Sequence, residues 1–321
     1  MNRTTPALCA TLLMAAATLA GAQGYPNKPI KLIVPLAAAG TGDTLARAVG
    51  EEMAKELGQP VVIENKPGAG GLVGTEIVAA APADGYTLLA VSPSHVINPA
   101  LHAKKTYDPI KGFEPITVMA NTHQVIVSHP SLPVKDLKEL IAYAKANPGK
   151  VNYGSSGIGS IHHLAMEAFK GAFDLNMVHV PYKGMGQAVP ALLGGQVAMV
   201  PSALPAVEAH VKAGTVKLVA ISTAKRSPQA PDVPTIAEMG APGYDFAPEI
   251  GLLAPAGTPP AIVARLSAEV AKAVKNPEVA QRFRQLGIDP VGNSPEAYNA
   301  QIRAAYEKYG QVVKAAGVKA D

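Results

Sequence analysis

Ile30-Lys31-Leu32-Ile33-Val34-Pro35, then the loop Leu36 to Gly42, then Asp43-Thr44-Leu45-Ala46-Arg47, is the stretch that decides the fold class. The apolar run Ile30 to Val34 reads as a strand, and Pro35 closes it because proline cannot donate to a sheet ladder. Leu36 to Gly42 is a loop of small residues, rich in alanine and glycine. From Thr44 to Glu56 the apolar residues Leu45, Val49 and Met53 recur at the spacing of one helix face, with Asp43 just ahead of them. Strand, short loop and helix make one unit of an alternating α/β chain.

The unit recurs outward from there. Val61 to Glu64 is the next strand, Pro67-Gly68-Ala69-Gly70-Gly71 its turn and Gly74 to Ala80 its helix. Strand Thr87 to Val91 then leads into Ser92-Pro93-Ser94-His95. A second series begins near Ile116, with strands Val125–Val127, Val151–Tyr153, Met177–Val180, Val197–Val200 and Lys217–Ile221. Helices Val134–Ala146, Ser160–Phe169, Gly186–Leu193 and Pro205–Ala213 alternate with them. Leu252–Ala254 is a further strand, and helices follow over Pro260–Lys275, Pro277–Leu286 and Pro295–Ala315. On the last helix Tyr298, Ile302, Ala305, Tyr309 and Val312 form a stripe that predicts a packing face. This alternation with short loops predicts parallel sheets covered by helices, and no repeat of fixed period is legible.

Length and composition set the scale. The 321 residues exceed one comfortable core, so two lobes of roughly 100–150 residues are expected. Apolar residues make up 48% and tryptophan is absent, which predicts an aliphatic core. At the N-terminus Arg3, the apolar stretch Ala7 to Ala20 and the small-x-small Ala20-Gly21-Ala22 predict a signal peptide over 1–22, cleaved near Ala22-Gln23. The apolar stretch falls short of the roughly 20 residues a membrane-spanning helix needs, and the same holds elsewhere in the chain. The only cysteine, Cys9, lies in this leader. A mature chain without thiols excludes disulfides, thiolate catalysis and cysteine-ligated metals, and suits an oxidising compartment. Lys and Arg number 28 against 24 Asp and Glu, scattered and without aromatic interleaving, which argues against a nucleic-acid partner.

The chemistry-bearing candidates are loops between a strand's end and a helix's start. Leu36, Ala39, Gly40, Thr41, Gly42 and Asp43 form the first; Ser92, Ser94 and His95 the second; Ser155, Ser156, Gly157 and Ser160 the third. Backbone N–H groups and the positive end of a helix dipole make such loops anion sites without any arginine. In an open α/β sheet they line one crevice. Enzyme motifs fail. Gly40-Thr41-Gly42 and Gly157-Ile158-Gly159 lack the third glycine of a dinucleotide fingerprint, and Gly149-Lys150 lacks the upstream glycine of a P-loop. Ser155-Ser156 lacks the glycine spacing of a nucleophile elbow. Ser222-Thr223-Ala224-Lys225 matches Ser-x-x-Lys but has neither companion motif. His162-His163 has no metal-binding spacing, so a hydrogen-bonding role at the cleft is expected instead. His95 is a candidate contact for a carboxylate, and Lys183 is the best-placed cation.

The motifs also run in a familiar order. Tyr25-Pro26-Asn27-Lys28-Pro29-Ile30, Glu64-Asn65-Lys66-Pro67-Gly68-Ala69-Gly70-Gly71, Asp84-Gly85-Tyr86-Thr87-Leu88, His179-Val180-Pro181-Tyr182-Lys183-Gly184 and Leu252-Leu253-Ala254-Pro255-Ala256-Gly257-Thr258-Pro259 follow one another through the chain. In this the sequence resembles the Bug (TctC-type) family of periplasmic receptors for tripartite tricarboxylate transporters. The resemblance implies a type II periplasmic-binding-protein fold, α/β, with two lobes around a ligand cleft joined by two crossover strands. The crossovers would fall near Ile116–Val127 and Ala247–Ala254. Lobe 1 would comprise residues 23–123 plus 250–294 and lobe 2 residues 124–249 plus 295–321. It implies carboxylate contacts at Leu36 to Asp43, Ser92 to His95 and Ser155 to Ser160, with His163, Tyr182 and Ser202 added. Three departures bear on the ligand. Leu36 and Ala39 replace the family's Phe and Gly in the first loop, Ser202 replaces an Asp suited to a ligand ammonium, and Glu249 replaces an aromatic residue. An amino-acid ligand is therefore disfavoured, although Glu249 would oppose an anion if it faced the cleft.

The function expected is capture of a small mono-, di- or tricarboxylate, without catalysis or cofactor, by a periplasmic monomer that delivers to the transporter's membrane subunits. A receptor for a sensor kinase uses the same clamp and is the alternative. A periplasmic hydrolase is the other, and it would require a Ser–His–acid cluster.

Overall fold

Ile30–Val34 forms strand β1, and its near-continuous apolar character is explained by neighbours on both sides and helices on both faces. The computed structural model describes residues 24–36, 38, 41–102, 105–285 and 287–319. The predicted leader, Ala39 and Gly40 lie outside the described residues. In chain order the strands are β1, β2 (Val61–Asn65), β3 (Thr87–Val91), β4 (Phe113–Thr122), β5 (Gln124–Ser128), β6 (Asn152–Ser155), β7 (Val178–Pro181), β8 (Met199–Ala203), β9 (Lys217–Ile221), β10 (Glu249–Pro255) and β11 (Ile288–Pro290). The helices are α1 (Thr41–Leu57), α2 (Leu72–Ala79), α3 (Ser94–Leu101), α4 (Leu137–Ala146), α5 (Ile161–Phe173), α6 (Met185–Leu193), α7 (Leu204–Lys212), α8 (Pro260–Lys275), α9 (Pro277–Gln285) and α10 (Pro295–Ala316).

Two sheets result, ordered β11-β4-β10-β3-β1-β2 and β7-β6-β8-β5-β9. In the second sheet β5 alone runs antiparallel to the rest, and in the first β10 and the short edge strand β11 both do. The second sheet thus repeats the arrangement of five strands of the first, β4-β10-β3-β1-β2, and lacks a counterpart of β11, a kinship invisible to a search for sequence periods. This is the two-lobed periplasmic-binding-protein fold.

Connectivity alone aims the loops. β4 ends at Thr122 and β5 begins at Gln124, so the junction between sheets lies at the C-terminal end of β4. β4 runs parallel to β1 and β3, because both β3 and β4 pair antiparallel with β10. The C-terminal ends of β1 and β3 therefore face the junction. In the second sheet Gln124 pairs with Ala203, so the start of β5 lies beside the end of β8, and β6 and β7 run parallel to β8. The loops after β6, β7 and β8 face the same junction.

One core passes from lobe to lobe. Ile33, Leu89 and Ile97 of the first lobe and Ile126, Leu164 and Phe169 of the second belong to a single apolar cluster, joined by Tyr298, Ile302 and Tyr309 of α10. The predicted stripe on α10 is a packing face, with Ala305 and Val312 at its edge. Separate clusters cover the far face of each sheet.

Candidate functional site at the junction of the lobes

The first loop is held from within. Asp43 is buried in the first turn of α1, where its carboxylate accepts from Arg47 Nε at 3.0 Å and Asn65 Nδ2 at 2.9 Å. Asn65 Nδ2 also donates to the Leu36 carbonyl at 3.2 Å, and Arg47 Nη2 donates to Asn65 Oδ1 at 2.9 Å. Asp43 is thus an anchor that ties the loop to β2. The Leu36 side chain lies over Gly42, where an added Cβ would stand 2.6 Å from Leu36 Cδ1 and 3.4 Å from Ile250 Cδ1. Of Thr41, only its place at the start of α1 is described. Asp43→Ala is expected to cost about 2 kcal/mol, the scale of losing charge-assisted hydrogen bonds, with Asp43→Asn costing less. Urea unfolding of the two variants measures the difference.

At the second loop Ser92 Oγ and Ser94 Oγ share a hydrogen bond of 2.9 Å, and no side chain caps α3. Pro35, at the end of β1, is packed hard against the α2 turn, since a Cβ on Gly74 would lie 2.8 Å from Pro35 Cβ. His95 is carried away from this cluster. Its ring is buried, with Nε2 3.0 Å from the Pro109 carbonyl, and it stacks on Tyr107 and meets Phe113 edge-on. Burial holds its pKa down to about 4.

The third loop belongs to the second lobe. Ser160 caps α5, accepting from His163 N at 3.2 Å and donating to the Gly157 carbonyl at 2.8 Å. Ser155 Oγ accepts from Gly157 N at 3.1 Å and lies 2.6 Å from His179 Nε2. Ser156 Oγ pairs with His162 Nδ1 at 2.7 Å. His163 points into the lobe, where its Nδ1 accepts from Gly159 N at 3.1 Å. Tyr182 donates its N–H to the Ser155 carbonyl at 3.1 Å, and its ring lies over Gly154. Ser202 is buried near the end of β8, and no side chain caps α7, which follows, or α6. Lys183 is exposed beside Tyr182.

The lobes touch at Gly159. Its φ is +72°, and a Cβ there would come within 2.2 Å of Leu101 Cδ1 at the end of α3. Only glycine meets both demands. Glu249 opens β10 half-buried, on the side of Tyr298, Lys308 and Tyr309 of α10. Burial pushes its carboxyl pKa up to about 7, with Asp245 adding to the rise and Lys308 opposing it. Because Glu249 pairs with Asn121 near the end of β4, it sits where the two sheets meet.

Strand ends and the loops and helix starts after them thus place Leu36, Ser92, Ser94, Ser155, Ser156, Gly157, Tyr182 and Ser202 on the side of the junction, while the His95 and His163 rings serve the lobes' interiors. Sequence reasoning missed His179, Asn65 and Arg47. Asn65 sits in the Glu64-to-Gly71 motif and His179 opens the His179-to-Gly184 motif, but His179 meets Ser155 only because β6 and β7 pair. No group of three His, Cys, Asp or Glu residues fit for a metal occurs among the described residues, and no helix there is long and apolar enough to cross a membrane.

Comparison with known proteins agrees with this architecture. The pattern of the tripartite tricarboxylate transporter family receptor matches residues 45–318. Protein BugT of Bordetella pertussis is 36% identical over 300 residues, covering 93% of this chain and 92% of that protein. Rpa4515 of R. palustris, solved with adipate, is 35% identical with a TM-score of 0.80, covering 92% of this chain and 99% of that one. MatC from Rhodopseudomonas palustris, solved with bound malate, is 33% identical with a TM-score of 0.76, covering 90% of this chain and 100% of that one. With the profile match spanning most of its length, the chain belongs to the tripartite tricarboxylate transporter receptor family.

Proposed function

We propose that the protein is a periplasmic solute-binding receptor that captures a small carboxylate at the junction and presents it, as a monomer, to the membrane subunits of a tripartite tricarboxylate transporter. The observation that carries this reading is the convergence of loops from two separate sheets on one junction, with hydroxyls at Ser92, Ser94 and Ser156 and helix starts that no side chain caps at α3, α6 and α7. Such starts supply N–H donors and positive dipole ends to an anion. The carboxylates held by two similar proteins support the same chemistry. Export rests on the leader read over residues 1–22. The bodies proposed to close on the ligand are residues 23–123 with 250–294 and residues 124–249 with 295–321, hinged at the two crossovers.

Capture without turnover is favoured by the state of Ser155. Its hydroxyl is fully buried, and the described hydrogen bonds give its partner His179 no carboxylate to orient the ring. A thermal-shift screen of mono-, di-, tri- and aromatic carboxylates tests the proposal. Ligand at a hundredfold excess over its dissociation constant adds about 2.7 kcal/mol, which raises the melting temperature by roughly 4 °C in a protein of this size. A screen in which no carboxylate shifts the transition defeats the reading, and chemical turnover of a hit would replace it with an enzyme.

A further inference from the structure

We propose that His163, His179 and His162 are positioning residues that hold the loop Ser155–Ser160 in its binding shape, and that the loop releases its anion when His163 takes up a proton. The proposal rests on the receptor reading above for its ligand, and on the geometry of the second lobe for its mechanism.

Three ring nitrogens grip this loop from three directions. His179 Nε2, from β7, lies 2.6 Å from Ser155 Oγ; His162 Nδ1, from α5, lies 2.7 Å from Ser156 Oγ; His163 Nδ1, also from α5, accepts from Gly159 N at 3.1 Å. The loop needs outside support, because Gly157 and Gly159 adopt φ of +130° and +72° and resist no deformation of their own. The bond to His163 dictates protonation state. Gly159 N–H can only donate, so Nδ1 must offer its lone pair, and the proton of the neutral ring sits on Nε2, 3.7 Å from Glu167 Oε1. A protonated His163 would turn a second N–H against that of Gly159 and break the grip.

The surroundings decide when that happens. The His163 and His179 rings stack 3.8 Å apart at 11°, and Tyr153 stacks on the other side of His179 at 5.0 Å. The charged groups facing the pair are Glu167, hydrogen-bonded by the Tyr153 hydroxyl, and Lys170, 2.7 Å from Glu167 Oε1. Burial lowers all three imidazoles, His162 and His179 to about 4. For His179 the facing His163 adds to the fall, and for both stacked rings Lys170 lowers and Glu167 raises. Near neutrality the loop is held. Acidification below the ordinary imidazole range charges His163 and lets it go.

The test uses the full exported chain, with adipate and malate as probes in calorimetric titrations and hydrogen–deuterium exchange of residues 157–163 as a readout that needs no ligand. Near neutral pH, His163→Ala should speed exchange and weaken binding by ~10-fold each, as loss of one such hydrogen bond implies. His163→Asn, whose Oδ1 stands where Nδ1 stood and takes no proton, should restore both and flatten their pH dependence. His179→Gln against His179→Ala makes the same contrast at Ser155. The wild type should lose affinity and loop protection together as pH falls. The proposal is overturned if His163→Ala exchanges like the wild type, if His163→Asn loses as much as His163→Ala, or if the asparagine variant keeps the wild type's acid sensitivity. Wild-type protein that binds neither acid, yet shows the expected exchange pattern, counts against the receptor reading and leaves the loop mechanism standing.

Discussion

Gly251→Ala is expected to lower the melting temperature by roughly 5 °C, the equivalent of about 3 kcal/mol for a chain of this length. A Cβ at this position would fall 1.8 Å from Tyr298 Oη and 2.3 Å from its Cζ. The ring cannot step aside, for Tyr298 is only 1% exposed and belongs to the core that α10 shares with both lobes. Accommodation must therefore move either β10 or α10. β10 pairs with both β3 and β4, and α10 packs on β4 and α3 of one lobe and on α5 of the other, so both choices disturb lobe packing. Tyr298→Leu, which removes the obstructing ring, should cost stability alone but recover part of the loss in combination with Gly251→Ala. Calorimetric unfolding of the two single variants and the double variant measures this coupling; strictly additive losses would show that the clash is relieved elsewhere.

His95 should account for about 3 kcal/mol of the stability lost between neutral pH and about pH 4. Its imidazole has a pKa of about 4 when folded and near 6.5 when unfolded. Between those values the unfolded chain binds the extra proton, so stability rises with pH across the window and falls as the medium is acidified. Nε2 faces the Pro109 carbonyl and must donate to it, which leaves Nδ1 bare, buried and without a hydrogen bond. Protonation would place a charge there with only Tyr107 and Phe113 rings beside it. His95→Gln keeps a donor for Pro109 and does not titrate. Its urea midpoint should therefore vary less with pH than that of the wild type, by the equivalent of about 3 kcal/mol. An unchanged profile would mean that the ring titrates alike in the folded and unfolded chain.

Local pattern carried the sequence reading a long way. The helical spacing over Pro260–Lys275 and Pro295–Ala315 matches α8 and α10 almost to the residue. The helix expected from Val134 begins only at Leu137, because Asp136 caps it by accepting from Glu139 N at 2.8 Å. Asp43, expected ahead of a helix, lies inside α1. The long strand β4 was legible only in part, since Pro115, Thr117 and Asn121 interrupt its apolar run, and short β11 was not legible at all.

The site divides along the same line. Its loops are written locally, as small and hydroxyl-bearing residues between a strand and a helix. Their supports are written far apart: Asn65 for Leu36, Pro109 for His95 and His179 for Ser155.

From Ile30 to Arg47 and onward, the order of residues by itself determined an alternating α/β chain, its strand-end loops and the family to which they belong. Periodicity and turn chemistry act over a few neighbouring residues, and those are adjacent in the chain. Only the tertiary structure decided which way His95 and His163 turn, that Gly159 must meet Leu101, and that one core runs through both lobes. Those outcomes depend on strand register and on helices packed across many tens of residues, where the covalent chain imposes no spacing of its own.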